Sequence, residues 1–436
     1  MYGGKQDRRA FIKHTTAVVT AGAAQLSIDR SAHAAGSDIL RLGVVGCGGR
    51  GSGAAIQALN ADRHTKLVAM ADAFEDRLEN SYDNLKKAAV AHSDVEQSAD
   101  LASRVDVPRE CRFVGFDAYK QVIDQVDVVI LASPPHFRPR HLAYAVEKGV
   151  HVFAEKPVAT DAPGVRHCLE ACEVAKEKNL AIVSGLCWRY HNPRRETMQR
   201  VLDGAIGEPV SIETIYNVGG VWQPRKTRDQ VDSDMEYQLR NWYYYTWLSG
   251  DHIVEQAVHA LDTMAWTMGD QPPIKCWGSG GREVRVDPKY GNIFDHFSIV
   301  YEYPNDVRGY HSCRHWPGSY QKVQDYVLGS KGFCDVWKHR IRGDQSWRYR
   351  GDEYSMYQAE HDALFRSIRA GTPINDGLRM CRSTLLAIMG RMAAYTGKEI
   401  SWDMALASQQ DLSPKEYAWG EAPPATLTTP GVTPFV

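Results

Sequence analysis

Short apolar runs alternate with longer amphipathic stretches through the first half of the chain. Residues 42–45 read as a buried strand, and 52–59 as the small-residue start of a helix. Residues 67–71 form a second apolar run, followed by a charged amphipathic helix over 75–90. Residues 91–110 are polar and read as loop or short helix. The unbroken apolar run 126–131 predicts a strand covered on both faces. Residues 140–148 predict a helix stopped by Gly149, as a C-terminal glycine does. A strand over 150–154, a helix over 161–178 and a strand over 181–183 continue the series. Strands alternating with helices imply a parallel, doubly wound sheet.

Beyond about Trp188 the rhythm changes. Residues 210–218, 297–303, 307–315, 322–328 and 332–337 read as strands with few helices between them, which suggests a mostly antiparallel sheet. Helices are predicted over 251–268, 359–369 and 379–395. Residues 411–436 are rich in Pro, Thr and Ala and read as an extended arm, placed against a neighbouring subunit. The expected fold is therefore α/β. A doubly wound Rossmann domain spans 37–187, and an α/β domain with an open, mostly antiparallel sheet spans 188–410.

The joint between the first strand and the first helix carries the chemistry. Gly46-Cys47-Gly48-Gly49-Arg50-Gly51 is a Gly-x-Gly-x-x-Gly turn, and the second strand stops at Asp72. Strand, glycine turn, helix, strand and acid make a dinucleotide-binding arrangement. Gly46 permits the tight turn, Gly48 a close approach of backbone to pyrophosphate, and Gly51 close packing of helix on strand. The helix N-terminus offers unpaired N–H groups to phosphate. Asp72 is placed to accept hydrogen bonds from ribose hydroxyls, which favours NAD over NADP, although Arg77 follows closely. Gly49 and Arg50 complete the turn. The strand ends at Ser133, Pro134, His136, Glu155 and Lys156 are expected to line the same nucleotide.

The 436 residues suffice for two ordinary domains, and 43% hydrophobic with 24% charged residues is a globular balance. A net charge of -2 gives no electrostatic case for a nucleic-acid partner. No apolar run reaches the roughly 20 residues that span a bilayer. The nine cysteines include no Cys-x-x-Cys pair and are expected to fill core space. Arg8-Arg9 ahead of a weakly apolar stretch over 15–26 reads as a twin-arginine export signal. Ala32-His33-Ala34 is the cleavage candidate, so residues 1–36 are set apart from the fold and a periplasmic location is expected. Such an enzyme would carry its cofactor tightly bound.

With Glu155-Lys156-Pro157 and Glu255-x-x-x-His259-x-x-Asp262 in order behind the glycine turn, the chain resembles the glucose–fructose oxidoreductase, inositol dehydrogenase and rhizopine-catabolism (Gfo/Idh/MocA) family from about residue 39 to 400. The resemblance implies an NAD- or NADP-binding first domain, a second domain that builds homodimers or homotetramers, and a sugar or cyclitol held between them. It also implies that Lys156 and His259 act on the reacting oxygen, with Glu255 orienting or relaying. Glu255 stands where the family usually has Asp, and the insertion 223–248 exceeds the usual pattern.

A single helix over 251–268 would put Glu255 and His259 on one face. Arg189 and Tyr190 are candidates for substrate contact. Tyr190, Trp242, Tyr243, Tyr244, Tyr245 and Trp247 make either an aromatic wall for a sugar or core. His252, Glu255 and His259 share a spacing that a metal would accept, and His311, Cys313 and His315 alternate on one strand, but no metal site is assigned to either set. The leading function is an NAD-dependent sugar or cyclitol dehydrogenase. The alternative is an NAD-dependent glycosidase acting by transient oxidation, and a third is a sugar-binding protein that no longer turns over.

Overall fold

The computed structural model describes residues 38–92 and 100–436. The expected signal over 1–36 lies outside the described residues. The first half builds β1 (Leu40–Val45), α1 (Gly49–Ala61), β2 (Thr65–Asp72), α2 (Glu75–His92), β3 (Arg112–Val114) and β4 (Val128–Leu131). There follow α3 (Arg138–Glu147), β5 (His151–Ala154), α4 (Ala162–Glu177) and β6 (Ile182–Ser184). The strand order is β3-β2-β1-β4-β5-β6, all parallel. Leu42 pairs with Leu67 on one side and Val128 on the other. The winding therefore reverses between β1 and β4, and a crevice opens at their carboxyl ends. All of Val128–Leu131 is buried, as its unbroken apolar run requires.

The second half begins with α5 (Asn192–Leu202) and β7 (Pro209–Val218). The predicted helix over 251–268 is instead two pieces, α6 (His252–Glu255) and α7 (Val258–Thr267). The Ala257 N–H reaches back five residues to the His252 carbonyl. The Glu255 carbonyl, which His259 N–H would take in an unbroken helix, instead accepts from the Lys156 ammonium. A charged donor from the other domain thus replaces one rung of the helix ladder.

Then come β8 (Lys275–Gly281), β9 (His296–Glu302), β10 (Arg308–His315), β11 (Lys322–Gly329), β12 (Gly332–Asp335), β13 (Arg340–Gly343) and β14 (Trp347–Arg348). The chain continues through α8 (Met356–Arg369), α9 (Gly377–Thr396) and β15 (Ile400–Ser401). The nine-stranded order is β14-β13-β12-β11-β7-β10-β9-β8-β15. Only the β7–β10 pair is parallel, so the sheet is mostly antiparallel.

α9 is buried along almost its whole length because it lies between α4 and the inner face of β8 and β9. Gly377 abuts the Cys172 side chain and Gly390 the Tyr301 hydroxyl, at distances that leave no room for a Cβ. All nine cysteines are free, and all but Cys111 are buried.

A second tie is electrostatic. Arg189 donates to both oxygens of Asp262 at 2.8 Å and to Asp270, and Ser383 on α9 donates to Asp262 at 2.7 Å. Arg189 and Asp262 are almost fully buried, so each ion depends on the other for its charge balance.

The arm over 411–436 packs on its own chain. Leu412 N–H donates to Asp161, the N-cap of α4. Tyr417 and Trp419 pack on Phe116, and Trp419 also on Phe74. The Gly420 carbonyl accepts from Met235 N–H.

Two measurements check this packing. A Cβ on Gly51 would lie 2.1 Å from the Gly46 carbonyl oxygen, whereas one on Gly48 meets nothing within 4 Å. Gly51→Ala is expected to destabilise the fold by about 1–3 kcal/mol or more and lower Tm, and Gly48→Ala to leave Tm unchanged. Asp262→Ala strands a buried guanidinium and is expected to lower stability by about 3–5 kcal/mol in chemical denaturation.

Candidate functional site

The crevice at the β1–β4 switch is lined by Gly46, Asp72, Phe74, Arg77, Phe116, Ser133, Pro134, Phe137, His141 and Leu239. Gly46 has φ +99, and a Cβ there would sit 2.3 Å from the Ser133 nitrogen, so β1 and β4 meet backbone to backbone. Gly48 and Gly49 face open space. No side chain caps the N-terminus of α1 and its first turn carries no acid. The orphan N–H groups and the space above them fit a pyrophosphate.

Asp72 accepts from Cys47 N–H at 2.8 Å and Phe74 N–H at 3.0 Å. Burial nevertheless raises its pKa. A carboxylate has about four acceptor positions, so two remain for ribose hydroxyls. Ser133 Oγ lies 3.2 Å from His141 Nδ1, and His136 Nε2 lies 2.8 Å from the Tyr417 hydroxyl. His136 is thereby engaged with the arm at the edge of the crevice.

Lys156 stands at the carboxyl end of β5, before a cis peptide to Pro157. Its ammonium donates to the Glu255 carbonyl and, at 3.1 Å, to Glu255 Oε1. Below it Arg138 donates to the Pro157 carbonyl. Burial pulls Arg138 down to about 10, against the opposing pull of Glu155 and Glu255.

His259 follows the kink. Among the described residues, neither of its ring nitrogens has a hydrogen-bond partner, and Nδ1 is buried. Burial and then the Lys156 charge hold its pKa well below the usual range. The ring is a neutral imidazole stacked on Trp188 at 5.2 Å, with Tyr216 and Trp337 on Trp188's other sides. Lys156, Glu255 and His259 thus meet as expected, although by a broken helix and not by one continuous face.

Other expected residues are placed differently. Arg50 does not reach toward the turn's open space. Its guanidinium is taken by Glu155 and, at 2.7 Å, by Glu360. Glu155 also accepts from the Lys156 N–H. Glu360, on α8, is fully buried, and burial raises its pKa well above the usual carboxyl range. Nothing in the linear pattern separates Glu360 from the solvent-facing acids of an amphipathic helix.

Arg189 is committed to Asp262 and Asp270, and the Tyr190 hydroxyl to Asp376 at 2.7 Å. Both are structural, which corrects their assignment to substrate. Tyr243, Tyr244, Tyr245 and Trp247 are buried in one cluster, so this run is core. The aromatic wall beside His259 is Trp188, Tyr216 and Trp337, which the sequence reading missed because they lie on three separate elements.

His252 turns to Asp251 and the Phe294 carbonyl while Glu255 turns to Lys156, so the spacing suited to a metal is not realised in space. His311 pairs with Thr214, and His315 with Gln256 and Arg285.

Two family models match the chain. Residues 40–186 match an oxidoreductase family with an NAD-binding Rossmann fold, and 195–334 match the GFO/IDH/MocA C-terminal domain. A 2,7-anhydro-N-acetylneuraminate hydratase of Escherichia coli is 24% identical over 60% of this chain and 63% of its own length. This chain thus spans less than two thirds of that relative. An inositol 2-dehydrogenase of Pseudomonas savastanoi is 25% identical over 65% of this chain and 79% of its own. The fold matches scyllo-inositol dehydrogenase from Lactobacillus casei, solved with NAD(H) and scyllo-inositol, at a TM-score of 0.62 and 17% identity, covering 84% and 99% of the two chains. With both of its domains matched, over residues 40–186 and 195–334, the chain belongs to the Gfo/Idh/MocA oxidoreductase family.

Proposed function

We propose that the chain is an NAD-dependent oxidoreductase acting on a C–OH group of a sugar or cyclitol. One observation carries the reading: His259 is neutral and unpartnered beside an ammonium whose position is fixed by Glu255. The nicotinamide supplies the hydride acceptor. The substrate hydroxyl loses its proton to a His259 nitrogen as hydride leaves the same carbon. Lys156 donates a hydrogen bond to that oxygen and stabilises the charge that develops on it. Trp188, itself covered by the Arg194 guanidinium at 4.1 Å, stacks on the His259 ring and holds its plane.

NAD is favoured over NADP because a 2′-phosphate would meet the Asp72 carboxylate, with Arg77 as the only cleft residue of opposite sign among those described. Exchange into the crevice is restricted by the insertion, which contributes Leu239 to the lining, and by the arm, which backs Phe74 and Phe116. Together with the export signal at Arg8-Arg9, this supports a periplasmic enzyme that keeps its cofactor and regenerates it on the protein.

A homo-oligomer is favoured by the outer face of the large sheet. Trp277, Val300 and Tyr310 pair across three neighbouring strands, and Trp277 and Tyr310 are exposed.

A second reading is favoured by the hydratase relative. The same groups would oxidise a sugar transiently and expel a leaving group from it, as an NAD-dependent glycosidase does. Oxidation of a free polyol, matched by reduction of a second sugar or of added NAD, against release of a leaving group with no net change of oxidation state, separates the two.

Lys156→Ala and His259→Ala are each expected to lower kcat by about 10²–10⁴-fold while cofactor content stays near that of the parent. Near-normal kcat in His259→Ala would remove the proposed base. Denaturing the dialysed enzyme should release close to one dinucleotide per chain, identified as NAD by mass spectrometry. Retention corresponds to a dissociation constant below about 1 μM, or about −8 kcal/mol and beyond. An empty protein, or NADP in the supernatant, would overturn this part of the reading.

A further inference from the structure

His191 precedes α5, His339 lies in the turn between β12 and β13, and Glu353 lies between β14 and α8. His191 is about 150 residues before the other two, and the three segments meet on one side of the second domain. One donor atom from each residue lies within 4.8 Å of the other two. The two imidazoles are 5.2 Å apart at 61°, edge toward face.

The segments are fastened to one another independently of these side chains. Asn192 Nδ2 donates to the Tyr349 hydroxyl at 2.8 Å and to the Asp352 carbonyl at 2.7 Å. Tyr354 N–H donates to Asn192 Oδ1 at 3.1 Å. Tyr349 N–H donates to the His339 carbonyl at 3.0 Å. Both neighbours of Glu353 are therefore anchored to the residue that follows His191.

His339 itself has φ +50, a conformation that non-glycine residues adopt rarely and that clusters at functional sites. Its Nδ1 is buried without a hydrogen-bond partner. The nearest buried guanidinium, Arg194, is neutralised by Asp325 at 2.8 Å.

We propose that His191, His339 and Glu353 form a binding site for a first-row divalent cation, with Zn²⁺ the ion this donor set suits best. Two imidazoles and one carboxylate are borderline-soft ligands that select Zn²⁺ and its neighbours over Mg²⁺ or Ca²⁺. Tetrahedral zinc with bonds of about 2.1 Å places its donors about 3.4 Å apart. Side-chain rotation closes the remaining gap, because Glu353 is exposed and both rings are half-buried. Solvent supplies the remaining position.

The ion would clip the β12–β13 turn to the start of α5. That turn carries Trp337, which packs on Trp188 at 5.4 Å, and Trp188 stacks on His259. The site would therefore hold one wall of the substrate pocket while taking no part in the redox step.

The test is metal binding by the full chain after dialysis against chelator, read without any activity assay. Zn²⁺ competition against a chromogenic chelator should give one equivalent per chain, and Co²⁺ should give visible d–d bands of a nitrogen- and oxygen-ligated site. His339→Ala and Glu353→Gln should each weaken binding about tenfold or more. His64→Ala, at an exposed histidine elsewhere, should leave it unchanged. Added Zn²⁺ should raise Tm in the parent and not in Glu353→Gln, whose exposed side chain the fold does not need. Failure to bind one equivalent, or binding in both ligand variants equal to the parent, would overturn the proposal.

Discussion

The Lys156 ammonium reaching across to Glu255 is the contact on which the site's geometry turns. It takes two oxygens of one residue, the carbonyl and a carboxylate oxygen. The carbonyl is available because the helix ladder is interrupted there, and the interruption is stable because a charged donor fills the vacancy. One contact thus fixes the end of a Rossmann strand, breaks α6 from α7, and sets the direction in which His259 leaves the kink. A helix continuing through Gln256 would return the carbonyl to His259 N–H and leave Lys156 with the side chain alone.

Around that contact the molecule places charges where water is scarce and answers each with a partner from a distant element. Arg50 on α1 joins Glu155 after β5 and Glu360 on α8. Arg189 joins Asp262 and Asp270, and Arg194 joins Asp325. Such pairs contribute little net stability against well-packed apolar groups, yet they are strongly destabilised when one member is lost. Their effect is to specify which elements meet. Arg50 and Glu155 flank the glycine turn and Lys156, so the pairing also aligns the nucleotide crevice with the Lys156 strand end.

The nucleotide half was legible because its signals are local. A glycine turn between an apolar run and a helix needs only a few consecutive residues to be recognised, and Gly46, Gly51 and Asp72 stand where the pattern put them. The kink was not legible, since residues 251–268 are helical in composition and the group that breaks them lies about a hundred positions earlier. Arg189 and Tyr190 looked like substrate contacts because they follow a strand end. Asp262, Asp270 and Asp376, which claim them, come from a later helix, the turn after it and the residue that precedes α9. The run from Trp242 to Trp247 fills core because its rings pack on one another, while the aromatic surface beside His259 is assembled from single residues on separate elements.

The arm follows the crevice in the chain and is therefore translated after it. Every residue of the β1–β4 switch has left the ribosome before Tyr417 and Trp419 exist to back Phe74 and Phe116. Until those rings arrive, the cleft walls at Phe74 and Phe116 lack their backing, so the last residues made complete the first site begun.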